Sequence, residues 1–418
     1  MNDKNRSFGR TTTLFVMAFA IMLAGFVVMS VIAYSIPYNS IREHAEASRL
    51  IIEQEETHTG GSFYFTKDYF TDDLMLNLAS TGIGEVDEAL KQALINYYTV
   101  DSKMSKWCEP DAIETYKGCS VVRYSRYWHG YILPLRVQLL ITDLKGIRAI
   151  NIIVMAILFI TSVILIRRKI SLKAACMFAL SVCVVAIPLV PLCMQYSTCF
   201  YIMLVSVIVV LACHKFTADK TNLSLILFAT GGFTAYMDFL TVPIITLGFP
   251  LAIALLSNKG NHGIKSVFIC SIAWFIGYGG IWASKWILAT IFTSSDIIGD
   301  AMVQISARTF ETDIDMVSDM MYNLLKYDLA GFVLTMSTLL LCLLFRKSKV
   351  VLKENMYLAI IGCFPLIWYA ILQNHSLIHF WFTWRSLSLT LFCWGMYCLN
   401  VIDFTALSKG KFKSLKYA

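Results

Sequence analysis

"QNHSLIHF", residues 373–380, sets two amides, a hydroxyl and two imidazoles between two hydrophobic runs, and "FWFTWR" carries the chain on to Arg385. His375 and His379 lie four apart, on one face if helical. That spacing suits either a metal or hydrogen bonds to sugar and phosphate oxygens. Neither an HExxH pattern nor a third ligand adjoins the pair, so a divalent metal is not favoured and the sequence names no cofactor. "KDYFTDD" supplies Asp68, Asp72 and Asp73. A positioned carboxylate there can take the proton of an attacking hydroxyl, with Asp72 preferred as the base. The alternative is a solvated turn or helix cap, because Thr71 and Asp72 precede the apolar run "LMLNLA". Asp238, in "MDFLTVP", either assists an acceptor or caps a broken helix ahead of Pro243. Lys285 ("ASKW") and Arg385 ("TWR") can steady a departing phosphate or simply snorkel to lipid headgroups. "RYWHGY" groups Arg126, Trp128, His129 and Tyr131, which suits a sugar platform or an interfacial belt. Trp128 reads as anchor, and Arg126 and His129 read as site.

These residues need a frame, and composition supplies its nature. The chain has 418 residues, 57% apolar and 15% charged, with a mean hydropathy of +0.64. Soluble domains sit near 25% charged, so the expectation is an all-α, polytopic membrane protein in one integral domain, 1–418. Apolar runs long enough to cross about 30 Å of hydrocarbon fall at roughly 13–35, 149–166, 174–192, 199–213, 222–238, 241–256, 266–290, 329–345, 356–372 and 380–401. The first is longer than a signal-peptide core and reads as an uncleaved anchor.

Lys and Arg orient these ten expected spans. "MNDKNRSFGR", "RRKISLK", "HKFTADK", "NKGNHGIK", "RKSKVVLK" and "KGKFKSLK" are basic, whereas "MQYST" (194–198) and 373–379 carry no Lys or Arg. Basic connections therefore alternate, as both termini in the cytoplasm of a multi-pass protein in the bacterial cytoplasmic membrane require. The net charge of +7 follows from this topology and does not point to nucleic acid. Two outer segments result, 36–148 and 293–328. The first holds an amphipathic helix with Val86, Leu90, Ala93, Leu94 and Tyr97 on one face, then a stretch suited to lying in the interface plane. Of twelve cysteines, Cys108 and Cys119 fall in this segment, as a disulfide or as two thiols. Asp238, Lys285, His375, His379 and Arg385 all fall at outer helix ends. Ionisable groups at membrane depth usually face a cavity or a partner.

A long first outer loop with an acidic pair, juxtamembrane amphipathic helices and ten or so spans resembles the GT-C fold of integral membrane glycosyltransferases. "FTDDLMLNLA", "YSRYWHGYILPLR", "TAYMDFLTVPIITLGFP", "GYGGIWASKW" and "NHSLIHFWFTWR" look more closely like an uncharacterised family of bacterial membrane proteins of GT-C type. The resemblance implies transfer of a sugar from a polyprenyl-phosphate donor to an extracytoplasmic glycan or lipid acceptor in cell-surface polysaccharide assembly. An acid of the first outer loop would be the base, here Asp72, with Asp73, Asp68 and Asp238 as candidates beside it. Arg385 and Lys285 would hold the phosphate, and His375, His379, Arg126 and His129 would bind substrate. The departure is distance: "FTDD" lies more than thirty residues beyond the first span. The rival readings are a transporter or flippase for a lipid-linked glycan and a non-catalytic membrane scaffold.

Overall fold

Helix starts follow side chains that occupy free backbone N–H groups. Asp68, Asp143, Ser171 and Asp219 each precede a helix and accept hydrogen bonds from its first turn, as N-cap residues do. Arg167, Arg168 and Lys169 close the helix that Asp143 opens, matching its negative end. The computed structural model describes residues 3–56, 67–81, 86–101, 119–185, 187–258, 263–293, 295–309 and 347–405, with scattered positions between 318 and 344. Within these the chain is nearly all-α.

The helices that matter here are α1 (Asp3–Ser35), α2 (Arg42–Glu56), α3 (Tyr69–Ser80), α4 (Val86–Ile95), α5 (Ile132–Leu139), α6 (Leu144–Lys169), α7 (Leu172–Val184) and α8 (Met194–Ala212). They continue with α9 (Lys220–Met237), α10 (Ile244–Ser257), α11 (Gly263–Thr293), α12 (Ile297–Thr309), α13 (Met356–Gly362), α14 (Phe364–Ile371), α15 (Gln373–Ile378) and α16 (Leu387–Val401). Among the described residues, four stretches are long and apolar enough to cross a membrane: Gly9–Ser35, Leu144–Lys169, Met194–Ala212 and Gly263–Thr293. Their outward faces carry Ile, Val and Phe, such as Ile21, Ile153, Ile157, Phe268 and Ile291, all more than half exposed. Apolar faces of that extent belong against lipid or a partner.

Other expected spans are shorter or broken. Residues 174–192 divide into α7 and a 3-10 turn, Ile187–Leu192, containing Pro191. Residues 356–372 divide into α13 and α14 at Cys363, where Pro365 enters the first turn of α14. The 329–345 run lies outside the continuously described residues. α10 is apolar all round and buried from Ile244 to Leu255, as a core helix must be. It packs among α7, α8, α11 and α16.

α9 and α11 cross at glycines. A Cβ on Gly231 would strike the Trp274 carbonyl, and one on Gly277 would strike that of Phe228. Gly277→Val is therefore expected to wedge the pair apart and cost about 1–3 kcal/mol. A thermal unfolding midpoint in detergent equal to the wild type's would refute so close a crossing.

The segment between α1 and α6 departs from an all-helical expectation. Asn96 adopts a φ of 47° and ends α4, so Tyr97 leaves the predicted helix face. Tyr97–Asp101 (β1) and Cys119–Arg123 (β2) pair antiparallel, Tyr97 opposite Arg123, a ribbon that aromatic and β-branched residues favour. Cys108 and the Cys119 side chain lie outside the described residues, as does the rest of 102–118. α5 is a single short helix, and its Arg136 is fully buried. Its guanidinium donates to Ala33 O and Ile36 O at 2.9 Å, to Ala79 O at 2.7 Å and to Thr81 O. One cation thus ties the end of α1 to the end of α3, fixing the acidic helix over the bundle.

Candidate functional site

Asp72 is 1% exposed, one turn into α3. Its Oδ1 accepts the backbone N–H of Met194 at 2.8 Å and that of Gln195 at 3.4 Å. Those donors are free first-turn amides of α8, so Asp72 caps a helix other than its own. Its Oδ2 is buried with no hydrogen-bond partner among the described residues. Burial pushes this carboxyl up to about 8, and the nearby Asp68 adds to the rise. Asp68 caps α3, accepting from Thr71 N at 3.0 Å and Thr71 Oγ1 at 2.8 Å. It also accepts from Trp381 Nε1 at 3.3 Å. Asp73, next along α3, is only partly buried.

Arg385 closes the other side. Its guanidinium lies 4.0 Å from the centre of the Tyr196 ring and donates to Trp381 O at 2.8 Å. Its buried Nε has no hydrogen-bond partner among the described residues. Tyr196 stands two residues after Met194, so α8 carries both the amides that hold Asp72 and the ring that holds Arg385.

The histidines join this group through Trp381, whose ring centre is 4.9 Å from that of His379. His379 is 4.8 Å from His375 by the same measure. His375 Nε2 lies 2.9 Å from Leu240 O. A carbonyl only accepts, so Nε2 carries the proton and Nδ1 is left as a lone-pair acceptor. Nδ1 of both histidines is buried and unpaired among the described residues, as are Ser376 Oγ, Asn374 Oδ1 and Gln195 Oε1. Burial, then His379 and Arg308, lowers His375 to about 3, so it is neutral near pH 7. Burial and Arg308 lower His379 as well.

Asp238 ends α9 and accepts from Thr198 Oγ1 at 3.2 Å and from Thr241 N at 2.9 Å. This turn forces Leu240 to a φ of 75° and aims its carbonyl at His375. Asp68, Asp72, Asp238, His375, His379 and Arg385 thus form one connected constellation at one end of the bundle.

The remaining candidates stand differently. Lys285 is fully buried on α11 and donates to Ala93 O at 2.5 Å and Asn96 Oδ1 at 2.6 Å, 5.5 Å from the Trp128 ring centre. It pins α11 to the end of α4. His129 has both ring nitrogens engaged, with Tyr131 Oη and Tyr124 O each at 3.1 Å. Burial, then the Lys285 charge, lowers it to about 3. Arg126 pairs with Asp300 at 2.8 Å, and its carbonyl accepts from Trp282 and Trp286. No group of three or more His, Cys, Asp or Glu suited to a metal occurs among the described residues.

Sequence reasoning passed over Arg308, Tyr196 and Trp381. Arg308, near the end of α12, sends charge toward Tyr127, His375 and His379 and has an unpaired Nε. Its only signal was a basic residue in the polar segment 293–328, which also holds Lys326.

A further feature lies just below. A cavity of about 290 Å³ contains Met75, Met194, Thr198, Tyr201, Ile202 and Met237 among its walls. A second, of about 470 Å³, shares Tyr201, Ile202 and Met237 and runs along α8 and α9 past Val205, Val209 and Phe233. Together they form an apolar groove leading from the residues that bind Asp72 and Asp238 along the outward face of α8 and α9.

Comparison with family models, curated proteins and solved structures finds no match.

Proposed function

We propose that this chain is a membrane glycosyltransferase of GT-C type. In this reading it crosses the bacterial cytoplasmic membrane about ten times, with both termini inside and the constellation outside. It transfers a sugar from a polyprenyl-phosphate donor to a glycan or lipid acceptor of the cell surface. The observation that carries the reading is that Asp72 and Arg385, each buried with a polar atom (Oδ2 and Nε) unpartnered among the described residues, are both anchored on the first turn of α8. The two ends of a displacement need those two groups. Asp72 takes the proton of the acceptor hydroxyl as its oxygen bonds to the anomeric carbon. The bond from that carbon to the phosphate oxygen breaks, and Arg385 stabilises the phosphate that leaves. Neutral His375 and His379 present lone pairs to sugar hydroxyls, and Arg308 adds positive charge. Lys285 and His129, held by protein partners, position the outer segment in this scheme.

The groove supports a lipid-borne donor, because its apolar walls begin at Met194, beside the reacting groups. Filling it with Ile202→Trp should raise the KM for a polyprenyl-phosphate sugar about tenfold or more with a smaller change in kcat. Equal KM values would remove the groove from donor binding. The reading itself is tested in proteoliposomes carrying a panel of polyprenyl-phosphate hexoses, with release of polyprenyl phosphate as the readout. Movement of intact lipid-linked sugar across the bilayer without its cleavage would replace transfer with the flippase reading.

A further inference from the structure

A second cleft, of about 560 Å³, opens between α1, α9 and α11. It lies at the opposite end of α9 from the constellation. Lys220 lines it at the first residue of α9, whereas Asp238 follows the last. Eighteen residues of helix at 1.5 Å each separate the two by about 27 Å, close to the thickness of a bilayer core. Nothing in the transfer reaction uses this end of the molecule.

The walls are divided by polarity. Thr11, Lys220 and Ser224 line one end, and Phe19, Phe228 and Ile276 line the other, with Ala273 between. α1 and α9 run in the same order, polar residues first and an aromatic residue two turns later, while α11 contributes Ile269, Ile272, Ala273 and Ile276. Lys220 has no salt bridge among the described residues, and Arg10 beside Thr11 is exposed. Asp219 is the neighbouring anion, but its carboxylate accepts the Asn222 N–H at 3.0 Å and is turned to capping α9. The floor is rigid, because α9 and α11 meet at Gly231 and Gly277. A ligand that fits has a compact anionic group at one end and a hydrocarbon chain at the other.

We infer that this cleft binds an anionic membrane phospholipid, its headgroup phosphate at Lys220 and one acyl chain against Phe19, Phe228 and Ile276. Basic pockets between spans recognise lipid headgroups in this way. The site is independent of the transfer chemistry, so it stands or falls separately from that reading.

The full chain, reconstituted in nanodiscs of phosphatidylcholine with a minor share of phosphatidylglycerol and then stripped in mild detergent, is examined by native mass spectrometry. The wild type is expected to retain one phosphatidylglycerol in preference to phosphatidylcholine. Lys220→Gln should weaken that retention about fivefold, the worth of one headgroup charge contact. Ala273→Phe keeps the charge but fills the chain-binding half and should reduce retention at least as much. Equal retention of the two lipids by the wild type overturns the inference, as does undiminished retention in both variants. Displacement of the lipid by inorganic phosphate would assign the site to a free anion and overturn it too. Unfolding midpoints matching the wild type establish that each variant is folded, and Ala273→Phe decides the matter if Lys220→Gln is not.

Discussion

Asp72→Asn is expected to lower sugar transfer by about 10²- to 10⁴-fold, the usual worth of a general base. The amide oxygen can still accept from Met194 and Gln195, so α8 keeps its cap and donor binding should persist. What disappears is proton acceptance at Oδ2. The wild type adds a pH signature. Only the ionised carboxylate is a base, and burial, with Asp68 beside it, raises Asp72 to about 8. Transfer should therefore climb roughly tenfold per pH unit below that value and level off above it. Stability moves the other way. The fold favours the protonated acid, so stability present at low pH is lost as pH rises from the ordinary carboxylate range through about 8. Asn mimics the protonated form, so the inactive variant should outlast the wild type at pH 9 in a melting experiment. Asp73→Asn, on a partly exposed position, should cost far less. A large loss at Asp68→Asn or Asp238→Asn with Asp72→Asn nearly silent would move the base. Less than a tenfold loss in all four would end the glycosyltransferase reading.

The parts of this molecule that depend on local pattern were legible. Long apolar runs become α1, α6, α8 and α11, because a helix that satisfies its own backbone needs only apolar side chains to enter lipid. The acids of "KDYFTDD" were visible as a cluster, and the helix-cap reading of it is met at Asp68. Asp68 caps α3, while Asp72 reaches over to α8. What stayed hidden is what distance in sequence hides. Tyr196 and Arg385 are almost two hundred residues apart, and no periodicity announces that one stacks on the other. Lys285 and Arg385 looked alike because each is a cation near a helix end. Their difference lies in partners: Lys285 meets two oxygens at the end of α4, whereas Arg385 keeps a donor unpartnered among the described residues. The Tyr97 position failed for a local reason. Asn tolerates a positive φ, and that one residue turns a continuing helix face into a strand.

Arg385→Ala should reduce transfer by about 10²- to 10³-fold, the loss typical when one donor to a developing anion is removed. The geometry also ranks the conservative change. The guanidinium lies over the Tyr196 face and donates from Nη1 to the Trp381 carbonyl, while its Nε has no hydrogen-bond partner among the described residues. Lysine keeps the positive charge and N–H donors but has no plane to stack and no rigid fork to brace it. Arg385→Lys should therefore recover part of the loss, about tenfold over Ala, and not all of it. Because leaving-group charge grows only as the bond breaks, the deficit belongs mainly in kcat, with a smaller change in KM. A deficit confined to KM would instead make Arg385 a ground-state anchor for the donor phosphate. Tyr196→Phe preserves the ring under the guanidinium and should be mild, whereas Tyr196→Ala should approach the Lys variant. Full activity in Arg385→Ala would detach the phosphate from this residue and leave Arg308, the other cation facing His375 and His379, as the group to test in its place.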